Sequence, residues 1–264
     1  MNDFYVGYLP QAPTTLARFV RKVTIVLGLL AVTAALALVA GQMPFANSAF
    51  EYGKLRSFEG VIVTRPFPTL LVARPGEVGQ QDKYSRYLLV APGKHGADDL
   101  VASFDRKQVR LRGQLIYRGG GTMVEITPGS IAVTDAAPAI QETTRDLGSV
   151  TVTGEIVDSK CYLGVMNPGR GKVHRDCAAR CLSGGIPPIL VTTDGREQFL
   201  LVGLDGRALG RDALREFIAE PITMRGDLLQ QGESRLLKID ARTLQHSPAR
   251  VEAAVMSETP KHRR

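Results

Sequence analysis

Apolar and polar positions change rhythm twice along the chain. From Val23 to Ala40 the run VTIVLGLLAVTAALALVA holds eighteen residues without a charge or a proline. At about 1.5 Å per residue it covers roughly 27 Å, close to the hydrocarbon thickness of a bilayer, and predicts a membrane-spanning helix. Beyond residue 55 the pattern turns to short runs of alternating apolar residues broken by Gly and Asp, which predict strands. These lie near 58–64, 69–74 and 85–91, followed by a short helix near 97–105 and a hairpin near 108–117 and 122–133. A second set follows near 150–158, 189–194 and 197–203, with a helix near 209–219 and a hairpin near 221–229 and 234–244. Leu214, Phe217 and Ile218 stand at helical spacing, and Pro221 stops that helix.

The two sets also align residue by residue. VRLRGQLIYRGGGTMVEI (109–126) lies over ITMRGDLLQQGESRLLKI (222–239) without a gap, placing Arg112 on Arg225, Gly113 on Gly226 and Ile126 on Ile239. Upstream, Tyr87–Val90 matches Phe199–Val202, and Gly60–Val63 matches Gly154–Val157. A repeat of this length implies a duplicated domain. Three strands, a helix and two strands is the order of the OB-fold. The expected class is therefore mainly β: tandem OB-fold-like five-stranded barrels, each with one short helix, after a single N-terminal transmembrane helix. The expected boundaries are a cytoplasmic tail 1–22, the span 23–40, a first barrel 55–134 and a linker 135–148. A second barrel 149–246 and a disordered tail 247–264 complete the chain.

Charge orients the span. Arg18, Arg21 and Lys22 precede it, whereas no Lys or Arg follows until Lys54. That asymmetry predicts an N-terminus inside, in the cytoplasm, and the rest of the chain beyond the span outside it. The alternative is a cleaved signal peptide with Ala46-Asn47-Ser48 as its processing site; its apolar core would be longer than usual. The formal net charge of +7 invites a nucleic-acid reading. Dispersed charge, the absence of Trp and the predicted side of the membrane argue against it. The expected partners are the membrane, through the anchor, and a protein of a membrane complex.

The candidate chemistry is concentrated in one place. The second copy carries about 18 extra residues between its first and second strands, within 159–188, and they contain all three cysteines of the chain. Cys161 follows the strand, while His174, Cys177 and Cys181 are spaced so that a short helix puts them on one face. Gly184 and Gly185 would end that helix, and Pro187 and Pro188 would prevent its restart. Three thiols and an imidazole form a Cys3His metal set suited to zinc; Cu(I) or an iron–sulfur cluster would use the same soft donors. Lys172 and Arg175 would favour thiolates. Two alternatives remain open: a disulfide from Cys161 to Cys177 or Cys181 that staples the insertion, and thiol redox activity.

The run Gly154-Glu155-Ile156-Val157-Asp158-Ser159-Lys160-Cys161, followed by His174, Cys177 and Cys181, resembles small exported bacterial OB-like domains of unknown function. Their opening has the form G-x-[IV]-x-D-S-x-C. The resemblance covers about residues 150–245 and implies bacterial origin and export, hence an inner membrane with the barrels on its periplasmic side, but no activity. A single anchor before an exported barrel also resembles, in architecture alone, the haem chaperones of cytochrome c maturation. His246 and His262 lack the neighbouring Tyr of that family's haem-attaching His. Gly119-Gly120-Gly121 reads as a hairpin turn, His95 as a loop residue, and Asp98 and Asp99 as helix-start charges. No motif of a hydrolase or a zinc protease is present, so the sequence points away from catalysis. The expectation is an accessory subunit of a membrane redox complex or a metal handler. The alternative is a disulfide-held assembly module without metal.

Overall fold

The computed structural model describes residues 12–42, 48–74, 84–134, 140, 143–209 and 211–247. Residues 46 and 47 of the processing site, residues 135–139 and 141–142 of the expected linker, and the tail from 248 with His262 lie outside them. The chain divides into two units, residues 1–46 and 47–264.

In the first unit a single helix, α1 (Thr14–Gln42), takes in both the basic flank and the apolar run. Within Thr14–Gly41 an 18-residue window reaches a mean hydropathy of 2.6, and the helix is long and apolar enough to cross a membrane. Leu, Ala and Val dominate it and nothing breaks it, since Gly28 alone costs a helix only about 1 kcal/mol.

The second unit consists of two closed five-stranded barrels with the same strand order. In the first, β1 (Ser48–Phe50) precedes β2 (Arg56–Val63), β3 (Thr69–Ala73) and β4 (Tyr84–Val90). Then come the one-turn helix α2 (Asp98–Val101), β5 (Gln108–Arg118), β6 (Gly121–Ile126) and β7 (Ala132–Val133). β2 pairs with β3 and with β5, β3 with β4, and β5 with β6, all antiparallel. The parallel pair β4–β6 closes the ring, while β1 and β7 add to β5 outside it. The second barrel is built from β8 (Thr144–Asp158), α3 (Arg175–Ser183), β9 (Pro188–Thr192) and β10 (Gln198–Gly203). α4 (Arg211–Leu214), β11 (Pro221–Gln231), β12 (Ser234–Ile239) and β13 (Gln245–His246) complete it. Parallel β10–β12 closes this ring just as β4–β6 closes the first. One parallel closure among antiparallel pairs is the OB topology expected from the sequence.

The aligned glycines have a physical role in both rings. A Cβ on Gly60 would run into the Leu71 carbonyl, and one on Gly154 into the Val191 carbonyl. Gly113 and Gly226 stand in the same way against the Glu125 and Lys238 carbonyls. Small barrels need such close strand approaches at their corners, so the same glycines recur at the same places. Each barrel has its own core. Ile62, Leu70, Leu89, Val109, Leu111 and Val124 fill the first, with Val101 of α2 closing it. Ile156, Leu190, Leu201, Ile222 and Leu237 fill the second, with Leu214 and Ile218 in the closing role.

Two expectations change. The segment 135–148 is not all linker: β8 begins at Thr144, and its first residues pair with the far arm of β11, Thr144 opposite Gln231. The polar sequence TRDLG hid this because both faces of the extension are exposed, so no alternation marks it. The helices near 97–105 and 209–219 are each a single α-turn followed by a 3₁₀ turn, Ala102–Phe104 and Arg215–Phe217.

Candidate metal centre

The long connection between β8 and β9 forms the site. Leaving the strand, Ser159 and Lys160 are buried, and Cys161–Val165 make a single π-helical turn. Such wide turns recur at functional sites because they re-aim one side chain. The chain returns through a 3₁₀ turn, Lys172–His174, directly into α3, where Cys177 and Cys181 are one turn apart on one face. The helix stops as its sequence requires. Gly185, at φ 93°, donates its N–H to the Leu182 carbonyl, and Ile186 N donates to Cys181 O at 3.1 Å. This crossed pair of bonds is a Schellman motif, which favours glycine at the left-handed position.

The three sulfurs converge. Cys161 Sγ lies 3.9 Å from Cys177 Sγ and 3.9 Å from Cys181 Sγ. All three lie within 4.8 Å of one another. Two thiolates of a tetrahedral zinc with bonds of about 2.3 Å stand about 3.8 Å apart, whereas a disulfide requires about 2.05 Å. Cys161 and Cys181 are buried and Cys177 is half-buried.

His174 takes a different place from the one expected. Its ring is not grouped with all three thiols but with Asp158 and Cys161. It ends the 3₁₀ turn before α3 instead of riding on the helix face, which explains the difference. Nε2 donates to Asp158 Oδ2 at 2.9 Å, and Asp158 Oδ1 accepts the Cys161 backbone N–H at 2.8 Å. His174 is 1 % exposed and Asp158 fully buried, yet His174 Nδ1 has no hydrogen-bond partner. A metal-binding imidazole generally gives its other N–H to a carboxylate, and Asp158 holds His174 in that manner.

The cation at the thiols also differs from expectation. Arg175 points to Glu220 at 2.7 Å, and Lys172 is exposed. Lys94, from the loop after β4 in the first barrel, instead places Nζ 2.8 Å from Cys177 Sγ and 3.8 Å from Cys181 Sγ. The thiols in turn raise the Lys94 pKa, chiefly through the Cys177 hydrogen bond. The Cys181 thiol is pulled below its usual value by the hydrogen bond from Cys161, with further help from Lys94. Cys161 moves the opposite way, because its proton is shared with Cys181 and burial beside Asp158 opposes a second negative charge.

The insertion is also what joins the barrels. Val90, Ile116 and Met123 of the first barrel share one buried cluster with Tyr162, Leu163, Ile186 and Ile189 of the second. The Arg118 guanidinium covers the Tyr162 ring at 4.4 Å. Lys160, 2 % exposed, donates to Ala91 O at 2.9 Å and Gly93 O at 2.7 Å, and pairs with Glu125 at 2.5 Å. Gly96 N donates to Gly184 O at 2.9 Å, and a side chain on Gly184 would collide with the Lys94 carbonyl.

The three cysteines expected to share a site do lie together. The sequence reading missed Asp158, although Asp158 stands in the quoted run before Cys161, and it missed Lys94, which no local pattern marks. His95 is exposed in the loop beside Lys94, and His246 packs its ring on Phe217 at 4.9 Å, away from the thiols. Comparison with protein families, with curated proteins and with solved structures found no match for this chain.

Proposed function

We propose that this is a membrane-anchored, exported protein whose two barrels are joined around a structural zinc site held by Cys161, Cys177 and Cys181. The observation that carries the reading is the spacing of the sulfurs, 3.9 Å from Cys161 to each of the others. That is the edge of a thiolate coordination polyhedron. Metal binding would draw in His174, which stands beside Cys161 but outside the group of three sulfurs, as the nitrogen donor. Burial of the site inside the junction supports a structural role over a catalytic one, since zinc that turns over substrate keeps an accessible position.

The basic flank before the apolar helix supports a cytoplasmic N-terminus with the barrels on the far side of an inner membrane. The same segment supports attachment to the membrane, from which the protein would serve a membrane complex in metal handling or as a redox accessory.

Metal content measured on anaerobically purified full-length protein tests the reading, alongside a count of free thiols. About one equivalent of zinc with no disulfide is the expected result. Copper or iron in its place would correct the metal. A Cys→Ser series that left metal content unchanged would refute the site. A disulfide with one remaining free thiol would establish the alternative, an assembly module stapled at the same loop.

A further inference from the structure

Three thiolates around a divalent ion leave one negative charge in a half-buried place, and Asp158, hydrogen-bonded to His174, adds another beside it. Such charge is costly away from water unless a cation accompanies it. Among the described residues, Lys94 is the cation that hydrogen-bonds a cysteine sulfur. Resting on the zinc reading above, we infer that Lys94 is the counter-cation of the thiolate cluster, a positioning residue supplied by the first barrel to a metal site in the second.

Several contacts hold it there. The backbone on its N-terminal side is fixed by Lys160, through Ala91 O and Gly93 O. On its C-terminal side Gly96 N is bonded to Gly184 O. The Lys94 carbonyl rests against Gly184, the residue that caps α3, so the lysine's own backbone is registered against the helix that carries Cys177 and Cys181. Two nearby cations are committed elsewhere, Lys160 to Glu125 and Arg175 to Glu220.

Lys94 approaches from the solvent side, so water and salt screen its charge. That limits the effect to about tenfold in affinity. The metal need not touch it. Its role is to make the thiolate set cheaper to assemble, and it makes metal affinity depend on how the barrels dock.

The test compares zinc affinity in wild type, K94M and K94R, using full-length protein in detergent and a chromophoric chelator as competitor. K94M is expected to bind zinc about five- to tenfold more weakly, and K94R to stay within about twofold of wild type. The gap between wild type and K94M should close as ionic strength rises from about 0.05 to about 1 M. With Co(II) as the probe, K94M should keep the thiolate-to-metal absorption of wild type, showing that the ligands are unchanged. Equal affinity of K94M and wild type, or equal weakening of K94M and K94R, would overturn the role of the charge. A wild type that binds neither zinc nor Co(II) would instead bring down the metal reading, and the Lys94 role with it.

Discussion

Lys160→Met is the most direct probe of how the barrels hold together. An ammonium carries three hydrogens; Lys160 donates two of them inside the junction, to Ala91 O and Gly93 O, and forms an ion pair with Glu125 at 2.5 Å. Met has nearly the same shape, so the substitution removes the charge and the donors with little change in packing. Among the described residues it leaves Glu125, 11 % exposed at its side chain, with a long 3.5 Å contact from Gln114, and strips the two carbonyls of their donor. Breaking one side of a buried ion pair costs about 3–5 kcal/mol, against a total stability of about 5–15 kcal/mol for an ordinary domain. Urea unfolding of the full chain in detergent, followed by far-UV circular dichroism, measures the loss as a shift in midpoint. The double variant K160M/E125Q should recover part of it, since no uncompensated charge remains. A loss below about 1 kcal/mol in K160M, or no recovery in the double variant, would refute the view that this pair anchors the junction.

Other outcomes follow from the same geometry. Asp158→Asn should weaken zinc binding about 10- to 100-fold without removing a thiol, because His174 loses its orienting carboxylate; chelator competition reads this directly. Metal loading should release protons. The metal-free Cys161 thiol is held above its usual range by sharing its proton with Cys181 and by burial, so it is protonated at neutral pH and the metal must displace that proton. Affinity therefore rises with pH, by about tenfold per unit for each proton released, and calorimetry in buffers of different ionisation enthalpy counts them. Zero proton uptake by the buffer would contradict the assignment of Cys161 as a ligand. Gly184→Ala should cost about 1–3 kcal/mol by forcing α3 away from the Lys94 carbonyl, and thermal melts with limited proteolysis of the 91–96 loop would register it.

What the chain announced in advance follows from the range of each physical signal. An unbroken apolar run needs no context, so the anchor helix is legible residue by residue. The barrels are legible because Gly60 and Gly154, and Gly113 and Gly226, answer the same steric demand and so repeat at matched positions. Cys177 and Cys181 are legible because helical periodicity places them on one face. His174 broke that rule because the chain there is a 3₁₀ turn and not yet α-helix, so counting by helical spacing misplaced its ring. Lys94 lies 83 residues from Cys177, in another barrel, and meets it through tertiary docking that no local period encodes. The start of β8 was hidden for the opposite reason: its first residues are polar and exposed, and only pairing with β11 makes them strand.

The way the loop after β8 reaches across the junction bears on how this protein can be divided. Cutting between the barrels would uncover Val90, Ile116 and Met123 on one piece and Leu163, Ile186 and Ile189 on the other, all now shielded from water. It would also strand Lys160 from Glu125 and Lys94 from the cysteines. Each fragment would keep a complete barrel and its own core, yet expose a sticky apolar face, and the thiol-bearing one would lose its cation. Truncations meant to assign a task to each half would therefore report on damaged surfaces. The smallest piece that preserves the thiol cluster's surroundings contains both barrels, and a search for outside partners should begin with that piece intact.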